Sequence, residues 1–242
     1  MQLSEYENIY KNEGSHFFYV ANHHIILTFV KKYLKTPRMA TQILDAGCGT
    51  GLLAKKLGQF GKVSAIDISP EAIRFSKKRG VQARQGSINK IPFGAGTFDL
   101  VVSMDVLYHK KVDDKNALRE FYRVLKPGGV LILRVSANKW LSLNHDKHVH
   151  ARQRYSMGEV KNKTLKAGFK LEKVSYVNMV LLPLAIVKQF IETIIEEKET
   201  VSGVRSSGFL NTMLLSILSI EPMLISHINL PFGLGIVVVG RK

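Results

Sequence analysis

The segment Asp45-Ala46-Gly47-Cys48-Gly49-Thr50-Gly51 places three glycines where an apolar run must turn sharply into a helix. Glycine tolerates positive backbone angles and has no side chain, so backbone N–H groups in such a turn can meet a ligand closely. Twenty positions after Gly47, Asp67 closes the next apolar run, where a carboxylate can accept both hydroxyls of a ribose. The pair predicts a nucleoside-type ligand. His109 follows a later apolar run, and an imidazole titrating near neutrality can serve as a base or positioning group, or merely order its loop. The densest cluster of chemistry-bearing side chains is Asn144–Tyr155, with His145, Asp146, His148 and His150 followed by Arg152 and Arg154. Three readings stay open for it. It has ligand types for a divalent ion, although its spacing matches no closed metal site and His148 and His150 would point opposite ways if extended. It can bind an anionic substrate through His and Arg, or it can be a solvated loop. No metal is assigned.

These residues need a scaffold. Residues 1–40 read as a helical cap, with His24, Ile25, Ile26, Phe29, Val30 and Leu34 near helical spacing until Thr36-Pro37 breaks the pattern. From Gln42 short apolar runs alternate with amphipathic segments, the signature of a parallel sheet with crossover helices. Strands are predicted at 42–44, 63–67, 81–85, 98–104 and 129–135, with helices at 52–59, 70–79 and 115–124. Pro127-Gly128-Gly129 reads as a turn that stops the last helix and launches the fifth strand. A short helix at 157–167 and strands at 169–177 and 235–240, the last a hairpin-like partner of the one before it, complete the pattern. Between those two strands lies an insertion of more than fifty residues, read as two apolar-faced helices with a break at 200–207.

At 242 residues and 45% hydrophobic content, the chain suits one α/β domain. Its 35 Lys and Arg against 19 Asp and Glu give a formal charge of +16, which favours anionic partners without choosing among nucleic acid, membrane surface and acidic substrate. Cys48 is the single cysteine and no secretory signal is visible, so a cytoplasmic location is expected, with peripheral membrane contact as an extension. The apolar stretches 179–187 and 209–225 read as too short, or too interrupted by Asn211, Glu221 and Pro222, to span a bilayer. They suit helix packing, a dimer interface, cover for a greasy substrate, or a membrane interface.

The motifs themselves resemble those of a known group. D-x-G-C-G-T-G at 45–51 followed by Ala65-Ile66-Asp67-Ile68-Ser69-Pro70 is similar to motifs I and II of class I S-adenosylmethionine-dependent methyltransferases, especially the methyltransferase-11-like group. The likeness continues through Ile91-Pro92-Phe93, Thr97–Ser103 and Glu120–Gly129. It implies an α/β, Rossmann-like, doubly wound and mostly parallel seven-stranded sheet with an antiparallel C-terminal strand. The single domain would comprise a helical N-terminal cap (1–40), a cofactor-binding core (41–136), and substrate-side loops with a helical insertion before the last strand (137–242).

Carried over position by position, Asp45, Gly47, Cys48 and Gly49 line the methionine and adenosyl groove, Asp67 binds the ribose, Ile68 stacks on adenine and Met104 faces the methionyl part. Where the group often has an acidic residue near the adenine amine, this chain has Gly86-Ser87-Ile88, a weaker acceptor. Asp105-Val106-Leu107-Tyr108-His109 resembles D-V-L-E-H with Tyr for Glu. Glu13–Tyr19 is similar to an E-x-x-H-W-W-Y segment that would put His16 and Tyr19 in a lid, and the 145–155 segment and Asn229–Gly235 resemble the same branch, associated with glycan or lipid-linked pathways. The implied reaction is methyl transfer from S-adenosylmethionine, leaving S-adenosylhomocysteine, to oxygen or nitrogen of a small-molecule or lipid- or glycan-linked, anionic substrate. His109, His148 and His145 are the catalytic candidates. An RNA methyltransferase and a non-catalytic cofactor-binding module are the alternatives; no Asn-Pro-Pro-Tyr-type tetrad follows the fourth strand.

Overall fold

The computed structural model describes residues 3–34, 40–141, 153–194 and 208–242. Seven strands form one sheet: β1 (Gln42–Ala46), β2 (Lys62–Asp67), β3 (Ala83–Gln85), β4 (Phe98–Met104), β5 (Leu125–Ser136), β6 (Lys170–Val177) and β7 (Gly235–Arg241). Their spatial order is β3-β2-β1-β4-β5-β7-β6. The first five run parallel, and β7 pairs antiparallel with both β5 and β6. Such an order reverses direction at β1 and β4, and ligands of doubly wound sheets bind at the carboxyl ends of the strands at that point.

Alternation along the strands supplies both faces of the sheet. Leu44, Ile66, Val101, Leu131 and Leu133 turn to one side, where α5 (Asp114–Val124) and α6 (Met157–Lys166) cover them with Leu118, Phe121 and Val160. Ile43, Leu100, Val102, Val130 and Ile132 turn to the other, under α2 (Phe17–Tyr33) and α3 (Leu52–Leu57). Thus α2 is more than a cap, because Ile25, Ile26, Phe29 and Val30 are sheet core. Of the remaining helices in the cofactor half, α1 (Leu3–Asn12) packs Tyr6 on Ala72 and Phe75 of α4 (Pro70–Lys78). Ser69 caps α4 by accepting the Ala72 N–H, with Pro70 at the first helical position, which needs no donor.

Two expectations need correction. Pro127-Gly128-Gly129 does not precede the fifth strand but lies within it: Phe98 pairs with Leu125 and Leu100 with Val130, so the extra residues bulge, with Gly128 at φ 78°. Among its described residues the insertion has α7 (Leu181–Ile194), then α8 (Gly208–Leu218) and α9 (Glu221–His227), which divide the expected second helix; the 200–207 break lies outside the described residues. The stretch Gly208–His227 is long and apolar enough, by length and composition alone, to cross a membrane, with mean hydropathy 1.5. The residues expected to interrupt it turn inward instead. Asn211 accepts the Phe17 N–H at 2.8 Å and donates to Ser15 O at 2.9 Å. Glu221 accepts the Asn178 N–H and, at 3.1 Å, the Met179 N–H.

Glu221→Ala leaves both donors at the end of β6 unmet and should lower unfolding free energy by about 2–4 kcal/mol. Urea denaturation measures it; a loss under about 0.5 kcal/mol, the range of a neutral surface change, would show that Glu221 does not anchor the insertion.

Candidate active site

The turn from β1 to α3 has three glycines in the left-handed region, with φ of 90° at Gly47, 53° at Gly49 and 86° at Gly51. A Cβ on Gly47 would lie 2.3 Å from Val106 Cγ2, and one on Gly51 would lie 2.9 Å from the Ser76 Cα. Gly49 has nothing within 4 Å of such a Cβ; it borders a cleft of about 1460 Å³. Gly47 and Cys48 both donate their N–H groups to Ile66 O, at 2.8 and 2.9 Å, tying the turn to β2.

Asp67 is fixed at the cleft by two backbone donors, Gly49 N–H to Oδ2 at 3.0 Å and Ser69 N–H to Oδ1 at 2.9 Å. A carboxylate oxygen has a further lone pair after one such bond. Burial raises its pKa, and the two donors and the nearby His109 pull it back. Asp45 is 1% exposed, and its Oδ2 has no hydrogen-bond partner among the described residues. Burial, then the charges of Asp67 and Glu13, push its pKa up to about 7. A buried acceptor left unmet by the protein is a place for a ligand's donor.

The other expected cofactor residues all line this cleft. Ile68 offers an exposed apolar face, Ile88 is buried in the wall, and Met104 ends β4. The Ser87 hydroxyl accepts the Asn89 N–H at 3.2 Å. Burial and Asp45 push the Cys48 thiol up, away from the reactive thiolate. His16 caps α2, its Nδ1 accepting the Phe18 N–H at 3.3 Å, and its ring centroid lies 4.4 Å from Phe17 and 5.7 Å from Tyr19. Burial pushes Tyr19 up to about 12. His109 borders the cleft with its ring 4.8 Å from Tyr108, and its charge is among the influences that lower the Asp67 pKa. His145 and His148 lie outside the described residues, as does His150. The end of their segment is anchored: Arg154 donates to Ala137 O at 3.2 Å, and the Tyr155 hydroxyl lies 3.0 Å from Leu107 O and 3.1 Å from Asp114 Oδ2.

Residues 44–133 match the family model described as "Methyltransferase domain". The ubiquinone biosynthesis O-methyltransferase of Methylocella silvestris is 37% identical over 107 residues, covering 41% of this chain and 41% of that protein. The 2-phytyl-1,4-naphtoquinone methyltransferase of Thermosynechococcus vestitus is 32% identical over 116 residues, 44% of this chain and 51% of that one. Among solved structures, Haemonchus contortus phosphoethanolamine N-methyltransferase 2 in complex with S-adenosyl-L-methionine has a TM-score of 0.59 at 21% identity, covering 90% of this chain and 52% of that chain. Residues 44–133 thus carry a methyltransferase domain, and the fold around them is that of solved S-adenosylmethionine-dependent methyltransferases. The chain spans about half the length of the curated relatives it matches.

Two buried pairs in this chain escaped the sequence reading. Arg134 of β5 is 1% exposed and pairs with Asp105, which sits at φ 58° just past β4 and donates its N–H to Arg134 O at 3.0 Å. Its guanidinium stands 5.5 Å from the Phe18 ring centroid. Both residues of the pair line the cleft. Glu13, in the cap, accepts the Thr50 hydroxyl of the glycine loop and pairs with Arg79 of the α4 C-cap at 2.6 Å. Only its place in the E-x-x-H segment hinted at this, while nothing in the local pattern marks Arg134 or Asp105 as partners.

The Asp45 environment makes a pH-dependent prediction. Its pKa is raised on folding, so the stability it contributes is full below its ordinary 3.8 and is lost as pH rises through about 7. Asp45→Asn should therefore match the parent in acid and exceed it by about 2–4 kcal/mol above neutrality, judged by the size of the shift. Parallel denaturation curves across that window test this; an Asn variant weaker at every pH would overturn the assignment.

Proposed function

We propose that this methyltransferase moves the methyl group of S-adenosylmethionine to an oxygen or nitrogen of a small or lipid-linked acceptor with an anionic head and an apolar body. The observation that carries the cofactor half is the pair of carboxylates at the adjacent ends of β1 and β2. Asp67, locked by Gly49 and Ser69, suits ribose hydroxyls, and Asp45, with an unmet buried oxygen, suits an ammonium. The residues present thus fit this cosubstrate. Ile68, Ser87 and Ile88 would take its base, and Gly47, Cys48, Gly49 and Met104 its methionine part, with His16 and Tyr19 closing over it.

Bound there, the cosubstrate supplies a sulfonium methyl open to in-line displacement, a reaction that depends mainly on proximity and alignment. Tyr19, with its pKa pushed to about 12, keeps its proton at neutral pH and can orient an acceptor as a donor. His16, accepting at Nδ1, carries its proton on Nε2 when neutral and points the same chemistry at the cleft. Asp105, ion-paired with Arg134, has a buried Oδ1 with no hydrogen-bond partner among the described residues and can accept a hydrogen bond from an acceptor hydroxyl or amine, orienting it. His109, beside Asp67, would position the nucleoside rather than act as a base.

The acceptor class is supported by what lines the rest of the cleft. Arg134, Arg154 and Lys188 stand among Phe17, Phe18 and Leu214, a mixture of cations and greasy wall that suits an anionic group on an apolar body.

Asp67→Ala should weaken S-adenosylhomocysteine binding by roughly tenfold to a hundredfold, the loss of charge-assisted hydrogen bonds, measured by calorimetry. His109→Ala should also weaken that binding; if it instead abolishes turnover with affinity intact, His109 is the base. Incubation with methyl-labelled donor and cell extract, followed by separation of aqueous, lipid and RNA fractions, tests the acceptor. Label in the lipid or aqueous fraction, absent with Asp67→Ala, is expected. Label confined to RNA would overturn the acceptor class, and donor binding without any transfer would identify a non-catalytic module.

A further inference from the structure

The insertion wears its polarity inside out. Twelve of the seventeen large hydrophobic side chains exposed among the described residues lie between Val180 and Ile228. On α8 the residues at helical spacing Asn211, Leu214 and Leu218 face the body, while Phe209, Met213 and Ile217 face outward. On α9 Glu221 and Ile225 face in, and Met223, 67% exposed, faces out. On α7 Leu184 and Val187 are more than half exposed. A helix at a water boundary ordinarily shows the reverse arrangement. An apolar patch that the fold itself creates, and holds with inward polar pins, marks a surface made for something other than water.

Charge chooses the occupant. Lys32 of α2 donates to Ser226 O, and Lys173 of β6 donates to Ile228 O at 2.8 Å, so two ammonium groups stand at the end of α9. Lys188 is on α7, and Glu221 is buried. No exposed carboxylate interrupts the patch among the described side chains of 180–190 and 208–228. Glu192 lies near the end of α7, and the connection at 195–207, outside the described residues, carries Glu196, Glu197 and Glu199 against Lys198 and Arg205, so attraction to anions must come from the lysines of the body. We propose that the α7–α9 face docks this methyltransferase on an anionic phospholipid surface, lying in the interface without crossing it. Apolar side chains would enter the headgroup boundary while the lysine rim meets lipid phosphate. Asn211 and Glu221, bonded to the body, hold α8 and α9 against α2 and oppose their release into a span.

The surface also meets the cleft. Leu184 and Leu210 line the cavity and are exposed on the patch. If the acceptor reading above holds, a lipid-linked acceptor could reach the donor from the bilayer without passing through water. The docking itself does not rest on that reading.

Flotation of the full chain with vesicles tests it, using phosphatidylcholine alone and phosphatidylcholine mixed with phosphatidylglycerol. Binding is expected to the mixed vesicles, weakened by salt and reversed by alkaline carbonate. Phe209→Asp with Met223→Asp should cut it roughly tenfold or more, and Lys32→Gln with Lys173→Gln should reduce it on anionic vesicles only. Unchanged S-adenosylhomocysteine affinity in the same variants shows that they fold, and keeps this test separate from that of the active site. No flotation with either lipid, or equal flotation of the double Asp variant, would overturn the proposal. So would carbonate resistance, which would mean a span, or a dimer that the same substitutions dissolve in the absence of lipid binding.

Discussion

Three buried carboxylates, Glu13, Asp45 and Asp67, surround one glycine loop, and the rest of the site is arranged around the cost of keeping them there. Burial raises the pKa of each, and Asp45 is raised further by the other two. In a chain of net charge +16, this concentration of carboxylates, with Asp45 Oδ2 left without a hydrogen-bond partner among the described residues, favours a ligand that brings donors or positive charge. Water cannot solvate these carboxylates well inside the cleft, and the protein supplies Arg79 to Glu13 alone among the three. The cosubstrate proposed above, with its positive charge and hydroxyl donors, would offset that cost. On that proposal the site trades folding stability near neutrality for affinity toward a cation.

That trade explains why the N-terminal helices are tied to the loop. Thr50 donates to Glu13, Arg79 bridges Glu13 and Tyr10 O at 2.7 Å, and its guanidinium stacks 4.2 Å from the Tyr10 ring. With Tyr6 packed on Phe75, the cap is bound to α4, the helix that follows Asp67. A change at Asp67 is thus mechanically adjacent to His16 and Tyr19, which lie at the start of α2 and line the cleft. Near the same wall His23 is pushed down to about 3 by burial and by Lys56, so it stays neutral and adds no cation there.

What the sequence made legible was local. The glycine turn, the carboxylate after β2 and the alternating runs each depend on residues within a few positions of one another, and β4 runs over the expected Phe98–Met104. Long-range pairs were hidden. Arg134 and Asp105 are twenty-nine positions apart, and neither lies in a pattern that predicts the other. Pro127-Gly128-Gly129 looked like a boundary because proline and glycine usually end elements, but a bulge accommodates them where Gly128 donates its N–H to Lys242 O at 2.9 Å. Asn211 and Glu221, read as interruptions of the apolar stretch, instead turn inward to the body. A polar residue in an apolar run counts against a membrane-length helix only if it faces outward, and facing is settled by what lies across from it, here Phe17 and Asn178.

The family match ends at residue 133, and Arg134 is the next. Everything that shapes the far side of the cleft, from Arg134 through Arg154 to Leu181, Lys188 and Leu214, lies beyond the residues that the family model matches. The donor half is accordingly constrained by chemistry common to the class, whereas the acceptor half is this chain's own. An acceptor cannot then be borrowed from a relative's name; it must fit a wall whose cation, Arg134, is already engaged by Asp105. An anionic acceptor group has to compete with that carboxylate or share the guanidinium with it. Sharing is the cheaper arrangement, since Arg134 Nε has no hydrogen-bond partner among the described residues and a guanidinium carries five donors in a fixed fork.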